Sequence, residues 1–336
     1  MLSRVADSIY WMARYTERAE NLARFIDASM NLILDQPAGL KEQWEPLVKA
    51  SGDEAYFWEH YGEASQESVL QFLTFDRAYA NSIISCLRAA RENARSVSES
   101  ISSETWEQVN TAYHFVRDSA ADELTAGSPL DFYSTVKQNS HLFNGILDAT
   151  MSHGDGWHFA NMGRLLERAD KTARILDVKY FTMLPKVVDV GTAIDDLQWS
   201  SLLSSVSGFQ FYRRRHRVIH VPYVIEFLLL DSSFPRAARF CIEQADTSLH
   251  AISGCPMNAY CNEAERLLGK LRSDLAYAQV QGILDQGIHQ FVDELQHKLN
   301  AIGTAIHQTY CELRPLSPAG PRVSPDSPFS QSQSQS

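Results

Sequence analysis

The feature that most constrains the fold is a charged pattern that occurs twice, 150 residues apart. Residues 14–27 read R-Y-T-E-R-A-E-N-L-A-R-F-I-D, and residues 164–177 read R-L-L-E-R-A-D-K-T-A-R-I-L-D. When residues 7–27 are aligned with 157–177, 8 of the 21 positions are identical and most of the identities are charged. Because charged surface positions diverge quickly when nothing constrains them, the repeated pattern is the main indication of function.

Both copies are predicted to be helical, because neither contains Gly or Pro inside the motif and apolar residues recur at helical spacing. At about 100° per residue, four charged side chains of the first copy share one flank, namely Arg14, Glu17, Glu20 and Arg24. One interpretation is a solvated face with ion pairs, each contributing about 0.2–0.5 kcal/mol, which is too little to explain a repeat. The other is a charged groove or a buried polar network shared by both halves of the chain.

A second repeated pattern supports a duplication of the whole unit. Five residues recur 155 positions later: Phe72, Leu73, Asp76, Cys86 and Ala90 match Phe227, Leu228, Asp231, Cys241 and Ala245. No alternating β pattern is visible. We therefore predict an all-α protein, a helical bundle built from two duplicated multi-helix units in one compact domain. The units span 1–150 and 151–315, and residues 316–336 form a disordered Pro/Ser/Gln-rich tail.

Composition narrows the function classes. A net charge of −11 argues against a nucleic-acid partner. The five cysteines are scattered and none forms C-x-x-C, which indicates a reducing compartment and thiols used as small apolar residues. Cys255 and Cys261 lack a second pair nearby, so no metal is predicted. No signal peptide or membrane span is visible, so we expect a cytoplasmic protein without a membrane partner.

Several groups of charged residues each have more than one interpretation. Arg88, Arg91 and Arg95 share a helix face, and either bind a carboxylate or phosphate or pair with Glu243, Asp246 and His250, the residues at the matching places of the second unit. Asp76 and Asp231 precede helices and are either N-caps or catalytic carboxylates. The basic run at 213–217 is a solvated loop, a partner-docking patch or an anion site. Nucleotide-binding and hydrolase motifs are absent, and no cofactor is predicted.

The sequence resembles the bacterial alpha-E domain family, an all-helical family with repeated Glu–Arg motifs. The resemblance is carried by S-R-V-A-D-S-I-Y-W-M-A-R-Y-T-E-R-A-E at 3–20 and by segments 90–95, 157–159, 166–170, 174–179, 227–231 and 234–235. It implies a gene neighbourhood with a circularly permuted ATP-grasp protein and often a transglutaminase-like protease. ATP-grasp enzymes join carboxylates to amines, so the implied system makes or trims a peptide or amide-linked product.

Three functions remain open on this basis. The favoured one is a non-catalytic scaffold or binding subunit that presents a peptide or amino-acid ligand to the ATP-grasp partner, with Arg on carboxylate and Glu on ammonium. The second is a free-standing enzyme with Glu17 or Glu167 as acid/base, and the third is a structural protein whose motifs hold helices together. The predicted binding residues are Arg14, Glu17, Arg18, Glu20, Arg24, Arg91, Arg95, Arg164, Glu167, Arg168, Asp170 and Arg174.

Overall fold

A computed structural model describes residues 1–35, 44–119, 129–182 and 193–312, and the predicted tail lies outside these ranges. All regular structure in the described ranges is helical, so the predicted all-α class is confirmed. The fifteen α-helices of these ranges are α1 (Ser3–Asp35), α2 (Glu45–Ser51), α3 (Glu54–His60), α4 (Gln66–Leu70), α5 (Ile83–Ser96), α6 (Ser103–Asp118), α7 (Pro129–Thr150), α8 (Asp155–Thr182), α9 (Ala193–Ser205), α10 (Phe209–Arg215), α11 (Val221–Ile225), α12 (Ala238–Ser253), α13 (Glu263–Tyr277), α14 (Val280–Gln286) and α15 (Ile288–Ile306).

The two motif helices, α1 and α8, pack against each other at the centre of the molecule. Helix α5 packs on the other side of α1, and α12 packs on the other side of α8. Helices α6 and α7 complete the layer around α5 and α1, whereas α13 and α15 complete it around α12 and α8. This compact arrangement is what the predicted duplication would give, although the duplication and its boundary near residue 150 stay predictions.

The close approach of α1 and α8 depends on a glycine. A Cβ atom at Gly163 would lie 2.5 Å from the backbone oxygen of Tyr10. Because this contact is with backbone rather than with a flexible side chain, a larger residue would force the helices apart. The first copy of the motif has Ala13 at the matching position.

Both helices bury an apolar face in the common core, as their periodicity predicts. On α1, Ile9, Met12 and Ala23 are completely buried, and on α8 Met162 and Leu176 are completely buried. Transfer of such side chains from water contributes about 1.5–3 kcal/mol each for residues of leucine size. The core therefore fixes the register in which the charged flanks of α1 and α8 meet.

Two π-helical segments, Gln71–Phe75 and Glu226–Leu230, each end directly before one of the paired aspartates. The Asp76 carboxylate accepts hydrogen bonds from the backbone N–H groups of residues 78 and 79, and Asp231 accepts them from residues 233 and 234. The aspartates thus stabilise turns. The predicted N-cap role is wrong, because α5 is capped by Ser82 and α12 begins after Ala237 without a side-chain cap.

The cysteines only partly follow the prediction. Cys86 and Cys241 are free and buried, as expected for small apolar residues. The expectation of free thiols is wrong for Cys255 and Cys261, which form a disulfide. The loop between α12 and α13 brings their Cα atoms to 6.2 Å, a separation that the spacing of six residues does not reveal. In the described part of the chain, no helix has the length and apolar content needed to cross a bilayer.

Candidate functional site

The two Glu–Arg motifs exchange partners across the contact between α1 and α8. Arg168 of α8 donates two hydrogen bonds of 2.8 Å to the carboxylate of Glu17 on α1. In return, Arg18 of α1 donates bonds of 2.7 and 3.0 Å to the carboxylate of Glu167 on α8. Both glutamates are at most 1% exposed. Paired fork contacts of this kind are the strong, geometrically specific form of the ion pair.

Glu167 lies at the centre of a cationic half of this cluster. Arg14 donates two further hydrogen bonds to it, of 3.0 and 2.8 Å, and the Lys171 amine lies 3.6 Å away. Burial by itself would raise the pKa of Glu167, but Arg18, Arg14 and Lys171 hold it well below its usual range. Four N–H donors therefore surround the carboxylate and favour its anionic form.

Glu17 has a different surrounding because α12 is preceded by Arg236. The Arg236 guanidinium donates to Glu17 at 3.2 Å, to Asn21 at 2.9 Å and to Glu20 at 2.5 Å. Arg24 also donates to Glu20, at 2.8 Å. Burial lowers the pKa of Arg236 to about 10, with Arg168 acting in the same direction and the two glutamates opposing it.

This geometry decides between the two interpretations of the charged flank. Glu17, Glu20, Arg24 and Glu167 are all buried, so a solvated face is wrong and a buried polar network is correct. Burying a charge is costly unless it is paired and hydrogen-bonded. Each motif therefore depends on the opposite helix for the partners of its buried charges.

A polar cavity opens on the Glu167 side of the network. It holds about 190 Å³ and lies among α1, α8, α15 and the segment after α2. Its charged lining consists of Arg14, Arg18, Lys171, Arg174, Asp53 and Asp170. Since the buried charge of Glu167 is the third acid in this region, four cations face three acids and the cavity favours an anionic group.

The Glu167 side and the Glu17 side of the network differ at a pair of matching sequence positions. Asn81 and Arg236 are 155 residues apart, which is the offset between residues 72–90 and the residues that match them in the second half. Both follow a π-helical segment and its turn. Arg236 extends its guanidinium to Glu17 and Glu20. The shorter Asn81 accepts a 2.6 Å hydrogen bond from Arg18 and lines the cavity. At these matching sequence positions, the asparagine borders the cavity and the arginine reaches into the buried network.

The opposite wall of the cavity is built by α8 and the end of α2. Arg174 donates to Asp170 at 2.9 Å, and Lys171 lies 3.2 Å from the same carboxylate. Burial would raise the pKa of Asp170, but Lys171 and Arg174 lower it. Gly52 has a φ of +83°, and a Cβ there would lie 2.7 Å from Nη1 of Arg174. The positive φ favours glycine, and a side chain at this position would displace the Arg174 guanidinium.

Asp53 completes the acidic part of the lining. Its carboxylate accepts hydrogen bonds from the hydroxyl of Tyr79 at 2.7 Å and from the side-chain amide of Asn81 at 3.0 Å. These contacts hold Asp53 and Asn81 in fixed positions at the cavity wall. An ammonium group that enters the cavity could pair with Asp53 or Asp170 while its carboxylate pairs with the guanidinium groups.

Most of the predicted binding residues fall into two groups, and Arg164, Arg91 and Arg95 belong to neither. Arg14, Arg18, Asp170 and Arg174 line the cavity, whereas Glu17, Glu20, Arg24, Glu167 and Arg168 form the buried network behind it. Arg164 does not mirror Arg14, because it bonds to Asn161 at 2.5 Å. Burial and the nearby Arg168 lower the pKa of Arg164.

Arg91 and Arg95 lie apart from this cluster on α5. Arg91 donates to Asn110 on α6, and both arginines form ion pairs with Glu92. The predicted pairing of the arginine stripe with the acidic positions of the second unit is wrong. Glu243 pairs instead with Arg239 on its own helix, and Asp246 pairs with Arg272.

Sequence reasoning missed several members of the site, namely Arg236, Lys171, Asn81, Asp53 and Gly52. Arg236 and Asn81 could have been found from the 155-residue offset, which places them at matching positions. Lys171 matches Asn21 in the first copy, and because the two residues differ, the search for identities does not single them out. Asp53 and Gly52 carry no signal in the sequence, because only tertiary contacts bring α2 to α8.

The chemistry of the two acid/base candidates is limited by their surroundings. Glu17 and Glu167 each accept four hydrogen bonds from N–H donors. In each carboxylate one oxygen accepts three of these bonds and the other accepts one, so most of its roughly four lone-pair sites face cationic or amide donors. Both glutamates are therefore placed to hold guanidinium groups in position.

Comparison with known proteins agrees with this geometry. A model of the Alpha-E family, described as a predicted alpha-helical domain with a conserved ER motif, matches residues 1–311. The uncharacterized proteins Mb2597 of Mycobacterium bovis and Rv2567 of Mycobacterium tuberculosis are each 22% identical over 294 residues. Each alignment covers 81% of this chain and 32% of the relative, so the chain spans about a third of their length. No solved structure matches the chain.

Proposed function

The chain belongs to the Alpha-E family, and on this premise we propose that it is an accessory substrate-binding or scaffold subunit of an ATP-grasp amidoligase-type system. In this proposal the partner is a circularly permuted ATP-grasp protein that synthesises or modifies a peptide or amide. A transglutaminase-like protease that trims the product is the third component of the proposed system. The observation that carries the proposal is the cation-lined cavity beside the Glu167 network.

The size of the cavity limits the ligand to a small group. Pockets for drug-sized molecules hold about 300–1,000 Å³, whereas this one holds about 190 Å³. A single amino acid or the terminal residue of a peptide matches that volume. The ligand class is therefore an amino acid or a peptide terminus, with a carboxylate bound by Arg174, Arg18 or Lys171.

The charge pattern supports the same class. Guanidinium groups match carboxylates in a bidentate geometry, and Lys171 adds a point charge. Asp170 and Asp53 supply acceptors for an ammonium group in the same lining. A zwitterion uses both the cations and the acids, whereas an inorganic anion would use only the cations.

A binding experiment tests the ligand class directly. We would titrate the protein by calorimetry with short peptides that carry a free C-terminal carboxylate and with the same peptides amidated at the C-terminus. The proposal predicts that amidation abolishes binding and that Lys171→Met and Arg174→Met weaken it at least tenfold. Arg95→Met is the matched control, since Arg95 is an exposed arginine far from the cavity lining.

The system-level part of the proposal needs its own test. The protein would be co-purified with the neighbouring ATP-grasp protein, and amide formation would be measured with wild type and with the Lys171→Met and Arg174→Met variants. Complex formation that survives in folded variants, together with lost product, would support a substrate-presenting subunit. Full product formation by both variants would shift the assignment to a purely structural protein.

A further inference from the structure

A second cluster of chemically active side chains lies at the far end of α12, away from the cavity. His250 on α12, Cys255 in the loop and Glu265 on α13 place their ligand atoms within 4.8 Å of one another. Glu265 is 1%, His250 6% and Cys255 7% exposed. Cys261 adjoins this cluster through its bond to the Cys255 sulfur.

We infer that this cluster is a redox-controlled zinc site. In the reduced chain, the thiolates of Cys255 and Cys261 bind Zn²⁺ together with His250 and Glu265, and the disulfide is the metal-free, oxidised form of the same site. Two sulfurs, one imidazole nitrogen and one carboxylate oxygen are the ligand types that zinc takes in tetrahedral sites.

The distances agree with such a site. Zn–S bonds of about 2.3 Å and Zn–N bonds of about 2.0–2.1 Å place tetrahedral ligand atoms roughly 3.3–3.8 Å apart. The ligand atoms of His250, Cys255 and Glu265, all within 4.8 Å of one another, need a contraction of about 1 Å, whereas the two bonded sulfurs need to move apart. Opening the disulfide releases the two sulfurs from their bond and permits this contraction within the loop.

The surrounding of His250 points to a ligand. The Nε2 atom of His250 lies 3.6 Å from Asp246 Oδ1, while Nδ1 lies 2.9 Å from the backbone oxygen of Cys255. Zinc-binding histidines commonly donate their second N–H to a carboxylate, which orients the ring. Asp246 is fully buried, and within the described part of the chain neither of its oxygens receives a hydrogen bond. Asp246 is thus placed as the positioning residue of His250, and Nδ1 is the nitrogen that binds the metal in place of its present hydrogen bond to the Cys255 oxygen.

The remaining charges near the site are balanced by a neighbour. Arg272 lies 3.0 Å from Asp246 Oδ2, opposite the histidine. Glu265 accepts hydrogen bonds from the backbone N–H of Cys261 and from the Asn262 amide, which hold its carboxylate at the start of α13. These contacts leave lone pairs on the Glu265 oxygens for a metal.

Reduction of the Cys255–Cys261 disulfide opens the site to the metal. A phosphine reductant donates two electrons to the disulfide and takes up the oxygen of one water, giving two thiols and a phosphine oxide. Binding of Zn²⁺ to the two thiols then forms two Zn–S bonds and releases two protons to the buffer. A small-molecule disulfide reoxidises the site: the Cys255–Cys261 bond forms again, the oxidant takes the two electrons and leaves as two thiolates, and Zn²⁺ loses its two sulfur ligands.

The test uses Co²⁺ as a spectroscopic substitute for Zn²⁺ in the full chain, reduced with a phosphine. We expect a thiolate-to-cobalt absorption band from reduced wild type, its displacement by Zn²⁺, and about one zinc per chain. The band should be absent from oxidised wild type and from Cys261→Ser, while Asp246→Asn should weaken binding about 10–100-fold.

Cys311→Ser is the matched control, because Cys311 sits in a second cluster with Asp7 and His307. This variant should keep the band. Loss of the band in Cys311→Ser with retention in Cys261→Ser would overturn the proposal, as would reduced wild type that binds neither metal. His250→Gln serves if Cys261→Ser does not fold, and a band unchanged in His250→Gln would also count against the site.

Discussion

Arg18 holds the carboxylate of Glu167 with two hydrogen bonds, from Nε at 2.7 Å and from Nη2 at 3.0 Å, across the contact between α1 and α8. The same dipeptide in the other helix returns the contact, from Arg168 to Glu17. The Glu–Arg motif is therefore half of an interhelical pair. Neither helix can bury its own motif without the other.

The first prediction concerns the two members of the Arg18–Glu167 pair. Glu167→Gln leaves Arg14 and Arg18 without their shared anion, so we expect it to lower the free energy of unfolding by about 3–5 kcal/mol. Arg18→Met should cost less, about 1–3 kcal/mol, because Glu167 keeps Arg14 and Lys171. Denaturant unfolding of both variants measures the difference, and equal losses would contradict the assigned geometry.

The second prediction is a loss of stability in acid. The folded-state pKa of Glu167 is depressed, so its contribution is complete above the ordinary glutamate pKa of about 4.3 and declines as pH falls toward the folded-state value. Glu167→Gln cannot titrate, so its deficit relative to wild type should shrink below about pH 4. Unfolding curves across this range measure the effect, and Glu99→Gln, at an exposed position, should follow wild type throughout.

The third prediction tests the contact of α1 with α8. Gly163→Ala places a methyl group against the backbone of Tyr10, and we expect a loss of about 1–3 kcal/mol from overpacking. Gly145→Ala in α7 meets nothing within 4 Å, so it should gain up to about 1 kcal/mol from helix propensity. Thermal unfolding compares the two, and similar effects would mean that the helices are not in close contact at Gly163.

The fourth prediction separates backbone strain from the shape of the cavity. Gly52 and Gly62 both have positive φ, of +83° and +72°, so alanine at either position should cost about 1–2 kcal/mol. Only at Gly52 does the new methyl group meet Arg174. Peptide binding should therefore weaken in Gly52→Ala and stay unchanged in Gly62→Ala. Calorimetry on both folded variants provides the readout.

The fifth prediction concerns a double variant that gives the Glu167 side of the network the residues of the Glu17 side. Asn81→Arg combined with Lys171→Asn reproduces the residues of the Glu17 side, where Arg236 and Asn21 occupy the matching positions. We expect the new guanidinium to fill the cavity, so the double variant should fold and should no longer bind peptide. Asn81→Arg alone should be less stable, because the added cation would lie beside both Arg18 and Lys171.

Part of the site was predictable because it was repeated. Glu17, Arg18, Glu167 and Arg168 stand out as identities on two predicted helices, and their pairing is the simplest use of a duplicated charged motif. Only charge and spacing place Arg91 and Arg95 among the predicted binding residues. These two features cannot distinguish a binding face from a face that carries local ion pairs. Arg236 was missed because its role depends on a turn that inserts it between α1 and α8.

The sequence by itself determined the helical class, the two long central helices and the opposition of an apolar to a charged flank, since these follow from local periodicity. Tertiary structure alone decided that the charged flank is buried, that the Glu–Arg pairs cross between helices, and that Asn81 lines a cavity whereas Arg236 reaches Glu17 and Glu20. The physical reason is that burial and ion pairing depend on the distance between α1 and α8. That distance is set by contacts such as Gly163 against Tyr10, which join positions about 150 residues apart.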